Sequence, residues 1–349
     1  MVPPSTASSS ETSPASRIVP PPFPWQARLW EACLHLQQAD RIHHAFLLRG
    51  VAGNGKRAFA MRWANAIVCE GSHPEGRPCG LCRGCILFAA RTHPDIKMVE
   101  PLSDKKSIGI DQIREVIDYV WLSRQFASRK PVIMPEAERM TISAANTLLK
   151  TLEEPPGNAV FILISNQSDR LPITIRSRCR FLDFSIPPRD SVLPWLLDRL
   201  PHGTDAGLLL NAAGGSPLLA LHYGEGDTLQ QRMTLHRDLI MLLTGKTDPL
   251  IIAARWKTLG CTVVLPWIAA YLMDLIRLRF TGELQSAIHP DDGDAMRRFA
   301  ENLDVYYGYR LLDRCLSAKR AWEDSPSLNE ALLLEGIAID FAIHDSQSF

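Results

Sequence analysis

Four of the eight cysteines fall close together, at Cys69, Cys79, Cys82 and Cys85. Their spacing would let four thiolates collect around one tetrahedral ion, and the glycines between the last three permit the tight turns that such a site needs. Four thiolate ligands leave no open position for water or substrate. The pattern therefore predicts a structural zinc site, with an iron–sulfur cluster or unliganded thiols as the alternatives.

A second chemical pattern is the glycine-rich run 50–57 (GVAGNGKR), which lies between a predicted strand and a predicted helix. Gly50, Gly53 and Gly55 would let backbone N–H groups point at a phosphate, and Lys56 would reach the outer phosphates of a nucleotide. The alternative is a plain glycine turn. In an active phosphate loop a Ser or Thr follows the lysine and ligates Mg²⁺, whereas this chain has Arg57. We therefore expect metal-assisted hydrolysis to be compromised.

A third position concerns the carboxylate that holds the Mg²⁺ water shell at the end of a buried strand. The matching segment is 130–140 (KPVIMPEAERM), and it has Pro135 where the first acid is required. Glu136 stands where a water-activating carboxylate would lie, but it has no metal-binding neighbour. We therefore interpret Glu136 and Glu138 as acids that solvate the start of a loop. Two magnesium determinants are missing together, which favours a site without ATPase activity.

Strands and helices that would position these residues alternate in the first half of the chain. Short apolar, β-branched runs predict strands buried on both faces of a parallel sheet, at 45–48, 96–99, 132–134, 160–164 and 181–185. Helical spacing and helix-ending prolines predict helices between them, at 25–40, 56–69, 111–122 and 141–154. This alternation indicates an α/β domain.

Beyond Pro187 and Pro188 the strand-like runs end and Leu- and Ala-rich helical segments dominate. We predict a disordered leader at 1–20, which is rich in Ser, Thr and Pro, and an α/β domain at 21–186. The cysteine module at 69–85 is inserted in that domain. A small helical domain is expected at 187–226 and a helical bundle at 227–349.

Composition bounds the classes of function. The chain has 349 residues, with 38 basic and 38 acidic side chains and a formal net charge of zero. Neutrality argues against a protein that holds DNA alone through a strongly basic surface. No apolar run approaches the roughly 18 residues that span a bilayer, and the leader has no apolar core typical of a secretory signal. We therefore expect a cytoplasmic protein that does not contact a membrane.

Several motifs together resemble one family, the delta-prime subunits of bacterial clamp loaders, within the AAA+ class. The resemblance covers about 23–226 and rests on the cysteine spacing, the glycine-rich run and four further segments. These segments are 43–47 (HHAFL), 92–95 (THPD), 144–156 (AANTLLKTLEEPP) and 176–180 (RSRCR). It implies an AAA+ P-loop core with a zinc insert, a small helical lid and an all-α C-terminal collar used in oligomerisation.

The resemblance also implies partners and a role for one arginine. In this family ATP sites lie between the subunits of a pentamer, which contains gamma or tau ATPase subunits and a delta subunit. By match, Arg178 is the arginine finger that reaches the neighbour's ATP, and Leu218 replaces a nucleotide-sensing arginine. The complex loads a sliding clamp onto primer-template DNA and is part of the DNA polymerase III holoenzyme, a DNA-directed DNA polymerase. We therefore expect this chain to have no ATPase activity of its own.

Two other readings remain open from sequence alone. An active clamp-loader ATPase of the gamma or tau kind would share the cysteine and RSRC motifs, but Arg57, Pro135 and Leu218 count against it. A zinc-knuckle DNA-binding protein would explain the cysteines. The neutral charge and the lack of an aromatic and basic patch beside them count against that reading.

Overall fold

The computed structural model describes most of the chain, in five ranges: 21–71, 78–103, 106–282, 293–324 and 328–342. The predicted leader at 1–20 and part of the predicted cysteine module, 72–77, lie outside the described residues. The chain divides into two compact units, Met1–Val192 and Leu193–Phe349. Each unit is described by itself below.

The first unit is built on a five-stranded sheet in which every neighbouring pair of strands is parallel. The strands are β1 (Ala45–Arg49), β2 (Lys97–Met98), β3 (Lys130–Met134), β4 (Ala159–Ser165) and β5 (Arg180–Asp183). Their order across the sheet is β2-β3-β4-β1-β5. The predicted α/β core with a parallel sheet is confirmed. Each strand lies where the sequence placed it, with ends that differ by one or two residues.

Helices lie between the strands in sequence, as the alternation predicted. They are α1 (Ala27–Gln38), α2 (Lys56–Val68), α3 (Arg83–Ala89), α4 (Ile110–Trp121), α5 (Ile142–Glu153) and α6 (Ile173–Arg176). The Thr141 side chain accepts a hydrogen bond from the backbone N–H of Ala144 at 3.2 Å, which caps the start of α5. Pro155 and Pro156 follow one residue after its end, where a helix can no longer continue.

The sheet separates two apolar cores, because successive strand residues point to opposite faces. Ala45 and Leu47 of β1 pack with α4 and α5 on one face. Phe46 and Leu48 pack with α1 and α2 on the other. Burial on both faces explains why β1 is a continuous apolar run without alternation.

The second unit is helical throughout its described residues, as predicted. Helix α7 (Arg189–Leu197) crosses the boundary between the units. The remaining helices are α8 (Ala206–Ala212), α9 (Pro217–Tyr223), α10 (Thr228–Leu243), α11 (Pro249–Lys257), α12 (Cys261–Thr281), α13 (Gly293–Asn302), α14 (Val305–Asp324) and α15 (Glu330–Ala342).

Helices from both predicted helical domains belong to this one unit. Arg232 of α10 is buried and donates from Nη1 to the Ala212 carbonyl oxygen at 2.5 Å and to the Tyr223 hydroxyl at 3.3 Å. Trp267 of α12 donates to the same hydroxyl at 3.0 Å. A buried polar contact therefore links the segments on either side of residue 226. The division into a lid and a collar at that residue stays a prediction.

Helix α12 qualifies one expectation. It is long and apolar enough to cross a membrane by length and composition, although the sequence indicated no such run. Most of its apolar stretch is buried inside the second unit, where Trp267, Leu272 and Leu275 are covered by other helices. Burial of this kind is typical of a core helix, because a membrane-spanning helix presents its apolar face to lipid.

Candidate functional site

The four clustered cysteines meet at one point of the first unit. The sulfur atoms of Cys69, Cys79, Cys82 and Cys85 all lie within 4.8 Å of one another. The Cys79–Cys85 and Cys69–Cys82 sulfur pairs are 4.0 Å and 3.9 Å apart. A tetrahedral ion with metal–sulfur distances of ~2.3 Å requires sulfur pairs about 3.8 Å apart. The cluster could therefore hold one metal ion.

Backbone amides around the cluster point at its sulfur atoms. The N–H groups of Cys79, Cys82 and Cys85 donate to the sulfurs of Cys69, Cys79 and Cys82, each at 3.4 Å. Such donors stabilise thiolates and orient them toward a shared cation. The thiol of Cys85 and the backbone amide of Cys79 hold the pKa of Cys69 well below its usual range, against the effect of burial.

Glycines give the cluster its backbone shape. Gly80 has a φ of +73°, a conformation that other residues rarely adopt. A Cβ atom at Gly71 would lie 2.6 Å from the Cys79 sulfur, and one at Gly84 would lie 2.5 Å from the Val68 carbonyl oxygen. The predicted role of glycine in this turn therefore has a direct steric reason.

The glycine-rich run forms a tight loop between β1 and α2. Gly50, Gly53 and Gly55 have φ values of +146°, +80° and +83°. A Cβ atom at Gly50 would lie 2.1 Å from the Phe184 carbonyl oxygen, so the backbone packs against the segment after β5. The Asn54 side chain donates to the carbonyl oxygens of Phe184 and Ser185 at 3.2 Å and 3.0 Å. The loop thus has the strand–loop–helix context of a phosphate loop, but it is fastened to its own chain.

Lys56, the predicted phosphate ligand, points into this loop. Its ammonium donates to the carbonyl oxygens of Gly50 and Val51, both at 2.7 Å, and the residue is only 4% exposed. Burial lowers the pKa of Lys56 to about 8, although the nearby Glu138 carboxylate opposes the shift. In this arrangement the loop carbonyls occupy two of the lysine's three donors.

The segment before α1 covers the same loop. Trp25 and Gln26 donate from their side chains to the Asn54 carbonyl oxygen at 3.2 Å and 2.9 Å. The Phe23 ring stacks on Trp25 and lies against Gly55, where an added Cβ atom would approach it to 2.6 Å. No sequence pattern indicates this cover, because its residues precede the loop by about thirty positions.

The residues at the positions where the sequence analysis predicted missing magnesium ligands take part in other contacts. Arg57 forms an ion pair with Glu100, with Nη2 and Oε1 2.6 Å apart. Pro135 is buried at the end of β3 and offers no carboxylate. Glu136 has a φ of +55° and pairs with Arg139 at 3.2 Å. The end of β3 therefore has Glu136, an acid already paired with Arg139, and no acid at position 135, where the Mg²⁺ water shell would need one.

Arg178 lies just after α6, on the surface of the first unit. Its Nη1 atom donates to the Thr174 carbonyl oxygen at 2.9 Å and to the Ser177 hydroxyl at 3.4 Å, and its Nη2 atom contacts the Glu153 carboxylate. The side chain is 33% exposed. It borders an open cleft of about 710 Å³, together with His43, His44 and Cys179 among others. A guanidinium in this position remains accessible from outside the chain.

Leu218 lies in the second unit, in the first turn of α9, and is half-buried. It follows Ser216, the N-cap residue, and Pro217, the first residue of that helix. A leucine side chain carries no charge and no donor, so this position cannot contact a phosphate through its side chain.

Comparisons with known proteins identify the family. One family model, described as DNA polymerase III, delta subunit, matches residues 25–188, and a second, described as DNA polymerase III, delta subunit, C terminal, matches 226–342. A DNA polymerase III subunit delta' from Pseudomonas aeruginosa is 33% identical over 323 residues, which cover 92% of this chain and 97% of that protein. The chain belongs to the delta' subunit family of DNA polymerase III. The family that the motifs resemble is thereby confirmed.

Two further relatives place the chain within polymerase subunits. The Escherichia coli delta' subunit is 35% identical over 258 residues, covering 73% of this chain and 76% of that protein. A Bacillus subtilis DNA polymerase III subunit tau is 30% identical over 229 residues, which is 63% of this chain but 39% of tau. The match to delta' therefore extends over nearly a whole protein, and the match to tau over a part of one.

Three residues with clear contacts at these sites escaped the sequence reading. Glu100 pairs with Arg57, Asn54 fastens the glycine-rich loop, and Glu153 contacts Arg178. Glu153 stands in the AANTLLKTLEEPP segment that carried the resemblance, so the motif itself offered a signal. Glu100 and Asn54 stand in no pattern that indicates a partner, because their contacts form between segments distant in sequence.

Proposed function

We propose that this chain is a clamp-loader subunit without ATPase activity of its own, which works in the cytoplasm. As part of the DNA polymerase III holoenzyme it would help to load a sliding clamp onto primer-template DNA. Its partners would be gamma or tau ATPase subunits and a delta subunit in a hetero-pentamer. The near full-length match to delta' subunits is the observation that carries this proposal.

Loss of ATPase activity is supported by the geometry of the glycine-rich loop. Lys56 donates to two carbonyl oxygens of the loop, Arg57 pairs with Glu100, and Pro135 provides no carboxylate. ATP hydrolysis requires a cation that bridges the phosphates and an acid that holds its water shell. Neither ligand is available here, so the chain would not hydrolyse ATP even if a nucleotide entered the loop.

The cysteine cluster is proposed to hold structural zinc. Four thiolates at tetrahedral spacing are typical of such sites, and they leave no open coordination position for catalysis. Zinc held by Cys69, Cys79, Cys82 and Cys85 would tie the end of α2 to the start of α3. Its contribution would be to folding of the first unit.

Arg178 is proposed to act in trans as an arginine finger. Its guanidinium is partly exposed on the surface of the first unit, and it would neutralise charge that develops on ATP bound by a neighbouring subunit. Such a finger can be worth ~10³–10⁵ in rate at the site that it completes. This chain would then contribute to ATP hydrolysis without binding the nucleotide itself.

The test is a steady-state ATPase assay on the reconstituted complex, with primed DNA and clamp present. Arg178→Ala should leave folding, zinc content and assembly intact, and should reduce ATP turnover and clamp loading. The reduction should be partial, because the other ATP sites keep their own fingers. Arg178→Lys should also be defective, since an ammonium cannot present the planar fork of a guanidinium. Wild-type turnover by the Arg178→Ala complex would contradict the proposal.

A further inference from the structure

The surroundings of Arg178 fix its guanidinium before any neighbour is present. A guanidinium has five N–H donors. Arg178 donates three hydrogen bonds to groups of its own chain: the Thr174 carbonyl, the Ser177 hydroxyl and the Glu153 carboxylate. The first two belong to the residues just before Arg178, whereas Glu153 lies 25 positions away in sequence. Glu153 is therefore the only one of these three partners that comes from another element.

Glu153 is held on a rigid support. It is the last residue of α5, and the residue before it, Leu152, is 1% exposed in the apolar core of the first unit. Leu148, one turn earlier, is completely buried. Helices α5 and α6 also contact each other. The carboxylate consequently projects from a fixed point beside the segment that carries Arg178.

The position of Glu153 is unfavourable for the helix itself. The C-terminal end of a helix carries a partial negative charge, so a carboxylate in the last turn is destabilising. Lys150, in the same turn, is the type of residue that this end favours. A glutamate at this point is better explained by its contact with Arg178 than by the stability of α5.

We propose that Glu153 is a positioning residue for Arg178, an inference that rests on the finger role proposed above. The Glu153 carboxylate holds one N–H of Nη2, while the Thr174 carbonyl and the Ser177 hydroxyl hold Nη1. The guanidinium plane is thereby oriented, and two N–H groups stay available for a phosphate oxygen of the neighbour's nucleotide. Orientation before binding lowers the entropy that is lost when the transition state forms.

The pair leaves the charge of the finger effective. The side chains of Arg178 and Glu153 are 33% and 48% exposed, so water screens their attraction. A screened carboxylate directs the guanidinium without binding it too strongly to serve a phosphate. The predicted effect of losing Glu153 is therefore a modest fall in kcat for the complex, of roughly two- to fivefold.

Two measurements test the proposal. In the isolated chain, the reactivity of Arg178 toward phenylglyoxal, mapped by mass spectrometry, should rise in Glu153→Ala and stay near wild type in Glu154→Ala. Glu154 is the matched control, since it removes the same charge from the adjacent exposed position. In the reconstituted complex, Glu153→Ala should lower kcat for ATP and leave KM unchanged, and Glu153→Gln should retain part of the activity because its amide oxygen still accepts a hydrogen bond.

The double variant Glu153→Ala/Arg178→Ala decides whether Glu153 acts through Arg178. It should be no slower than Arg178→Ala alone, because two residues that act as one unit are not additive. A fully additive loss, a higher turnover in Glu153→Ala, or unchanged phenylglyoxal reactivity would each overturn the positioning role. Wild-type turnover in Arg178→Ala would instead overturn the finger itself, and the positioning role with it.

Discussion

The glycine-rich loop and the segment around Arg178 each carry a cation of the kind that binds phosphate, and they differ in where its hydrogen bonds go. Lys56 is buried and donates to carbonyl oxygens of its own loop. Arg178 is partly exposed and keeps donors that no described residue of the first unit occupies. The loop has kept the backbone shape of a phosphate site, while the Arg178 segment faces outward from the chain.

The difference agrees with the proposed loss of ATPase activity, in which a loop of the phosphate-binding type serves the packing of its own chain. The positive φ values at Gly50, Gly53 and Gly55 still require glycine, and the packing of Phe184 and Phe23 against the loop adds a steric requirement. The loop therefore has reasons to persist that do not involve a nucleotide. We therefore expect polar groups whose hydrogen bonds are made within the first unit to contribute to folding and not to ATP hydrolysis.

Metal removal should have the largest effect. Cys82→Ala should lose zinc from the purified chain and lower the free energy of unfolding by on the order of 5 kcal/mol or more, since binding to a closed structural site is coupled to folding. Elemental analysis and thermal unfolding provide the measurements. Cys179→Ala is the control, because it removes a half-buried thiol outside the cluster and should cost only about 1 kcal/mol. Iron in the purified chain, or full stability without metal, would contradict the assignment.

Asp95 should have the next largest effect, and it also acts on folding. It is 1% exposed and accepts hydrogen bonds from the backbone N–H groups of Gln125, Phe126 and Ala127 at 2.8, 2.8 and 2.9 Å. Burial alone would raise the pKa of Asp95, but these three donors outweigh it and the pKa is lowered. Asp95→Asn should therefore cost about 1–3 kcal/mol at neutral pH.

The same residue gives a pH dependence whose sign follows from the lowered pKa. A carboxylate whose pKa falls on folding stabilises the protein above its unfolded pKa, 3.8 here, and the contribution is lost as the pH falls through the folded value. The free energy of unfolding of the wild type, measured by chemical denaturation, should thus fall below pH 4. Asp95→Asn should flatten this pH dependence. Asp118→Asn, an acid on the exposed part of α4, is the control. Equal slopes for wild type and Asp95→Asn would refute the prediction.

Much of the first unit could be predicted because its three central strands, β1, β3 and β4, are buried on both faces. The apolar, β-branched runs of the strands can be distinguished from helices by their local pattern alone, and all five strands were placed correctly. The four cysteines were found for a similar reason, since three of them lie within seven residues and the metal spacing is local. The membership in the delta' family followed from motifs of this local kind.

What escaped prediction depends on contacts between distant segments. Lys130 begins β3 and is 2% exposed, yet a lysine at a strand end looks like a solvated residue in sequence. Its ammonium donates to the carbonyl oxygens of Tyr119 and Leu122 at 2.5 Å and 3.0 Å and lies 4.0 Å from the centre of the Tyr119 ring. The lysine thus donates to carbonyls at the end of α4, where the helical ladder of hydrogen bonds runs out, and the Tyr119 carbonyl also accepts from the Leu122 N–H at 3.3 Å. Only the packed tertiary structure brings these groups together.

The smallest effect is expected for Arg57→Thr, which restores one magnesium ligand to the glycine-rich loop. The isolated chain should show no ATP hydrolysis above background at saturating Mg²⁺, and the variant should show none either. Pro135 still offers no acid for the water shell, and Lys56 still donates to Gly50 and Val51. The stability should change by about 1 kcal/mol or less, because the Arg57 side chain is 61% exposed and water screens its attraction to Glu100. Glu100→Gln is the matched control, since it breaks the same ion pair without adding a hydroxyl.

Two outcomes would contradict this prediction. Turnover by the wild type would overturn the inactive site. Turnover regained by Arg57→Thr alone would mean that the loop opens to Mg-ATP and that its internal hydrogen bonds are weaker than their burial indicates.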